Sequence, residues 1–147
     1  MGGHPWFYFV AYQADIARAL RELKEREFIA GRYNPVTRFP RFPVEDNSAT
    51  PGNRHKSIDD ALKASAADGT RSILDMNRVG SRADYDVVVP LSEKRLLELY
   101  ETTQPSRDMV EKNMDFFEDI ERSQGIYLIT YHEGRPSEIL FAGYSYD

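Results

Sequence analysis

The sequence of 147 residues contains no cysteine. That excludes a disulfide framework, thiolate chemistry and a Cys-based zinc site. It fits a reducing compartment, so a cytoplasmic location is expected. No stretch approaches the roughly 20 apolar residues that cross a bilayer. The longest apolar run, residues 6–12, has the length of a buried strand. The opening Met1-Gly2-Gly3-His4-Pro5 lacks the basic and apolar regions of a signal peptide. Histidine is scarce: His4, His55 and His132 have no metal-ligand spacing to one another. There is no Gly-rich phosphate fingerprint, Walker A sequence, G-x-S-x-G elbow or H-E-x-x-H pair. No metal site and no cofactor is identified.

An overall positive charge is also lacking. The net charge is −5, which argues against nucleic-acid binding, and no membrane partner is expected. The charge is uneven, however: +3 over residues 1–56 and −8 over the remainder. The positive excess lies in the stretch that holds Arg32, Arg38, Arg41, Arg54 and Lys56 against Glu45 and Asp46.

What is present is a globular balance, 41% hydrophobic and 29% charged, with 9 Tyr and 8 Phe for a core. The size suits one domain spanning residues 1–147. Residues 6–12, Trp6-Phe7-Tyr8-Phe9-Val10-Ala11-Tyr12, predict an interior strand, because nearly continuous apolarity suits a strand covered on both faces. A helix follows over residues 14–29, with Ile16, Leu20 and Leu23 on one face and Gly31 as its stop. Residues 32–56 form a long loop with Pro35, Pro40, Pro43 and Pro51. It exceeds the roughly 12–15 residues of ordinary connections.

Ser57 caps a second helix that Gly69 ends. Residues 71–76 and 85–89 predict strands, with Arg71, Ile73 and Asp75 on one face of the first. Ser92 caps a third helix, Leu96, Leu97 and Tyr100 inward. Val110, Met114, Phe117 and Ile120 mark the buried face of a long fourth helix that Gly125 stops. Residues 126–131 and 138–144 make a closing hairpin, with Gly143 a bulge or a point of close backbone approach. The order β-α-loop-α-β-β-α-α-β-β predicts an α+β fold, a mixed sheet of about five strands with about four helices on one face.

Loop 32–56 is the first candidate site. Arg32, Tyr33, Arg38 and Arg41 alternate cations with aromatic faces, a combination that binds phosphates and stacks a planar ring. Arg71, Ser72 and Asp75 are expected nearby, with Asp75 or His55 as the group for proton transfer. In the simpler reading, Val36, Phe39 and Phe42 pin an inert loop to the core. The residues leave open whether the chain is an enzyme.

Trp6-Phe7-Tyr8-Phe9-Val10, Arg26-Glu27-Phe28-Ile29-Ala30-Gly31-Arg32-Tyr33, Gly69-Thr70-Arg71-Ser72-Ile73-Leu74-Asp75 and Phe141-Ala142-Gly143-Tyr144 resemble a family of small uncharacterised bacterial proteins. The likeness spans nearly the whole chain. Some members carry the label ADP-ribosyl-(dinitrogen reductase) hydrolase. The acidic metal-binding motifs of the longer, all-helical ADP-ribosylglycohydrolases are absent from this sequence, so no catalytic residue carries over. The resemblance implies a ligand related to ADP-ribose or NAD. Two expectations result: a pocket for an anionic, nucleotide-like small molecule, or a regulatory or immunity-type module. The module would meet a protein partner through Asp59, Asp60, Glu111, Asp115, Glu118 and Glu121.

Overall fold

Strand-forming aromatic and β-branched residues gather at the two ends of the chain, and these ends pair with each other in one sheet. The structure, a computed structural model, describes residues 3–37, 41–66 and 72–145. It has five strands: β1 (Pro5–Ala11), β2 (Arg78–Val79), β3 (Val87–Pro90), β4 (Gly125–His132) and β5 (Arg135–Tyr144). They form one mixed sheet in the order β1-β5-β4-β3-β2. β5 is antiparallel to both β1 and β4, while β2, β3 and β4 run parallel. The helices are α1 (Ile16–Ala30), α2 (Ile58–Ala64), α3 (Glu93–Tyr100) and α4 (Arg107–Lys112). The fold is α+β with four helices and a five-stranded mixed sheet. No helix among the described residues is long and apolar enough to cross a membrane.

The helix starts follow the capping residues. Ser57, Ser92 and Ser106 each accept a backbone N–H three residues on, at 3.1, 3.1 and 3.2 Å. Asp15 does the same for α1. At the other end of α1, Gly31 adopts φ 78° and donates to the Glu27 and Phe28 carbonyls, a turn that a side chain would strain. The closing hairpin turns on Glu133 and Gly134 alone, with φ of 50° and 77°, so its strands reach further into residues 132–137 than the sequence suggests.

Several expectations are corrected. α2 ends at Ala64 with Ser65 as its C-cap, short of the expected stop at Gly69, which lies outside the described residues. β1 is an edge strand, paired only with β5. Its two-sided apolarity has another cause: the helices cover both faces of the sheet, not the one face expected. Trp6, Tyr8, Ile139 and Phe141 face α1, α2 and the turn at residues 73–75. Phe7, Phe9, Leu140 and Ala142 face α3, α4 and the segment around Phe116. Residues 72–76 form a single 3-10 turn, Ile73–Asp75, capped by Ser72. Ile73 and Leu74 are therefore both buried, and the alternating-face assignment fails. Leu97 is half exposed on α3, and only Leu96 and Tyr100 turn inward. The expected long fourth helix is α4 followed by a separate 3-10 segment, Asp115–Asp119. Gly143 is a point of close approach: a Cβ there would collide with the Gln124 carbonyl and the Trp6 ring.

Tyr100 closes the second core. Its hydroxyl donates to the Asn113 carbonyl at 2.7 Å. Burial, reinforced by the negative charge of Asp115, pushes its pKa up to about 12. An unfolded tyrosine ionises near ~10. From that pH upward the unfolded chain releases a proton that folded Tyr100 keeps, so stability falls as pH rises from 10 toward 12. Below that window the group contributes no pH dependence. Urea midpoints between pH 9 and 11.5 should fall more steeply for the wild type than for Tyr100→Phe. Parallel slopes would show that Tyr100 does not drive the loss.

Candidate functional site

Loop 32–56 leaves α1 and returns to it. The Gly52 N–H donates to the Ala30 carbonyl at 2.9 Å, and a Cβ on Gly31 would strike the Gly52 carbonyl. The long excursion is thus closed at its base like an Ω-loop. Its Asn34–Pro35 and Phe42–Pro43 bonds are cis. Between its limbs lies a cleft of about 570 Å³, lined by Arg32, Thr37, Arg41, Phe42, Glu45 and Ser48 among others. Such a volume is within the range of small-molecule sites.

Arg32 is buried to 9% exposure. Its Nε and Nη2 donate to the two carboxylate oxygens of Glu27 at 2.8 and 2.6 Å, and its Nη1 to the Ala49 carbonyl at 3.2 Å. The Glu27 hydrogen bonds push the Arg32 pKa still higher, so its charge is fixed. Glu27 is fully buried on α1 and also accepts from Arg26 Nε at 2.9 Å. The same carboxylate and the burial of the ring hold the Tyr8 phenol well above its ordinary pKa, burial being the larger cause. One carboxylate therefore locks the guanidinium that forms one wall of the cleft. Arg41, at the rim, is exposed.

Tyr33 is turned away from the cleft. Its ring is buried and stacks on Phe28 with centroids 5.6 Å apart. Its hydroxyl meets His55 Nδ1 at 2.7 Å and accepts the Arg54 N–H at 3.3 Å. Tyr33 and His55 together tie the first limb of the loop to the last. Phe42 packs edge-on against Tyr8 at 5.1 Å, and Val36 also packs on the core. These contacts match the simpler reading of the loop for Val36 and Phe42; Phe39 lies outside the described residues.

The structure thus brings Arg32 and Arg41 to one cleft. Tyr33 and His55 form a pair that braces it without lining it. Ser72 is fully buried, with its hydroxyl accepting the Leu74 N–H at 3.3 Å, and Asp75 is half-buried at the end of that turn. Neither lines the cleft. Arg38 and Arg71 lie outside the described residues. Among the described residues, no group of three or more His, Asp or Glu side chains is placed to hold a metal ion.

Glu27 is the site residue that sequence reasoning misses. Its signal is present: it falls four residues after Leu23, on the apolar face of α1, where a charge requires a buried partner. Arg32, five residues on, is that partner.

The chain matches no protein-family model, no curated protein and no solved structure.

Proposed function

We propose that the cleft of loop 32–56 binds an anionic, nucleotide-like small molecule of the ADP-ribose or NAD class. The observation that carries this reading is the meeting of Arg32, Arg41 and the Phe42 ring around one concavity. Arg32 is pre-oriented by Glu27, and its guanidinium has more N–H groups than Glu27 and Ala49 engage. An ordered donor fork loses little entropy when it takes an oxyanion. Arg41 adds an exposed charge to the lining, and Phe42 offers an apolar wall for a ring. The proposal is for binding alone, since His55 and Asp75 stand outside the cleft.

The competing reading, an acidic surface for a protein partner, draws less support. Of its six acidic residues Glu111 pairs with Arg107, and the neighbouring Glu98, Asp119, Glu138 and Asp108 pair with Arg95, Arg107 and Lys112, so cations interleave the α3–α4 side.

Titration calorimetry with ADP-ribose, NAD, AMP and inorganic phosphate tests the proposal. At least one nucleotide should bind. Arg41→Ala should weaken it about tenfold, the worth of one charge-assisted contact, while the ligand-free melting temperature stays unchanged. No binding by the wild type at millimolar concentration would sink the idea.

A further inference from the structure

We infer that the open edge of β1 is a self-association surface, on which a second copy of this chain pairs its own β1 antiparallel across a two-fold axis. β1 has the composition of a central strand but occupies a sheet edge. No charged residue lies in Pro5–Ala11, and its single proline is at the start. Edge strands in monomers are ordinarily blunted by charge, bulges or brevity, because their unpaired N–H and C=O groups recruit other strands. The opposite edge follows that rule: β2 is two residues long and carries Arg78.

The register identifies which groups are open. Beyond the two ends of β1, the Ser145 N–H donates to the His4 carbonyl at 3.0 Å and the Tyr12 N–H to the Ser137 carbonyl at 3.1 Å. Antiparallel pairing alternates, so the even-numbered residues bond β5, and Phe7, Phe9 and Ala11 direct their N–H and C=O outward. Among the described residues no backbone group bonds to these three from the outer side. Phe42 packs against Phe7 and Tyr8 and shields that end, whereas Phe9 and Val10 are half-buried and Ala11 is exposed.

A copy of the same segment fits there. With Val10 on the two-fold axis, Phe9 of each copy faces Ala11 of the other, and both residues of each facing pair exchange backbone hydrogen bonds. The strand itself brings no charge to the pairing; the Arg107 guanidinium, 4.1 Å from the Phe9 ring centroid, is paired with Glu138, and the interface is isologous and closed. Tyr12, 37% exposed at the same end of the strand, offers apolar surface to the copy. Beside the edge, Val10, Ala11, Ala19 and Leu23, with Gln13, Glu22 and Arg26, line a depression of about 170 Å³, room for one side chain of an added strand.

Sedimentation equilibrium tests this from about 10 µM to about 1 mM, since association follows mass action. The wild type should pass from monomer to twice the monomer mass, and the Phe9 and Ala11 amides should gain hydrogen-exchange protection in step. Ala11→Pro removes an outward N–H on an exposed edge residue, a position where proline is tolerated. It should remain monomeric with an unchanged circular dichroism spectrum. A wild type of monomer mass throughout, or a dimer in which the two amides exchange freely, overturns the inference. Because the amide readout uses the unmodified chain, it decides the matter even if the proline variant fails to fold.

Discussion

Glu27→Ala is expected to cost about 3–5 kcal/mol of folding stability, because it strands a buried guanidinium without its counter-charge. The carboxylate accepts three hydrogen bonds, two from Arg32 and one from Arg26, and is fully excluded from solvent. Arg26 is half exposed and can turn to water once its partner is gone. Arg32 cannot, since it is fixed by Ala49 and by the closure of the loop at Gly31 and Gly52. The expected result is a large drop in the urea midpoint with loss of order across loop 32–56. Replacing both partners by apolar residues, as in Glu27→Leu with Arg32→Met, should recover much of the loss. Glu25→Ala, an exposed site on the same helix, should lie within roughly 0.5 kcal/mol of the wild type. Equal midpoints for the Glu25 and Glu27 variants would show that the buried pair contributes nothing.

Element types were legible in the sequence wherever a local signal and the tertiary arrangement agree. Ser57 and Ser92 mark helix starts because a hydroxyl at the N-cap satisfies an orphan N–H whatever the surrounding fold. Position in the sheet was not legible for β1. Apolarity on both sides of a strand records that both faces are covered, and helices on opposite faces do this for an edge strand as well as for a central one. The segment after Arg71 has the composition of a strand, yet Ser72 bonds the Leu74 N–H and turns the chain into a 3-10 turn.

The candidate site was legible as a place more than as a residue set. Loop length and local charge pointed to the segment that forms the cleft. Residue roles depended on partners outside the cleft: Tyr33 is taken by Phe28 and His55, and Arg32 by Glu27. Alternation of cations and aromatics along a loop cannot show which way each side chain turns.

Phe116→Ala is expected to destabilise the chain by about 3–5 kcal/mol, as for a fully enclosed phenylalanine, and Phe117→Ala by clearly less. Helical spacing through Val110, Met114, Phe117 and Ile120 predicts the reverse, with Phe117 inward. Asn113 breaks the phase. Its backbone takes φ −144° and ψ 100°, and its side-chain oxygen accepts the Asp115 N–H at 3.0 Å. Its side-chain nitrogen donates to the Leu99 carbonyl at 3.3 Å, and its own carbonyl accepts from Tyr100. An asparagine that bonds neighbouring backbone groups competes with the helix ladder, so α4 stops and the chain restarts as the Asp115–Asp119 turn. The restart carries Phe116 to zero exposure among Leu96, Val110 and Ile120. Phe117 becomes half-buried, packed on Phe116 at 5.0 Å and edge-on to Tyr144 at 5.4 Å. Its truncation opens toward solvent instead of leaving an enclosed void, and water fills what the ring vacates. Urea unfolding of the two single variants at neutral pH decides between the phases. A Phe117→Ala midpoint at or below that of Phe116→Ala would restore the continuous helix, and with it a core in which Asn113 plays no part.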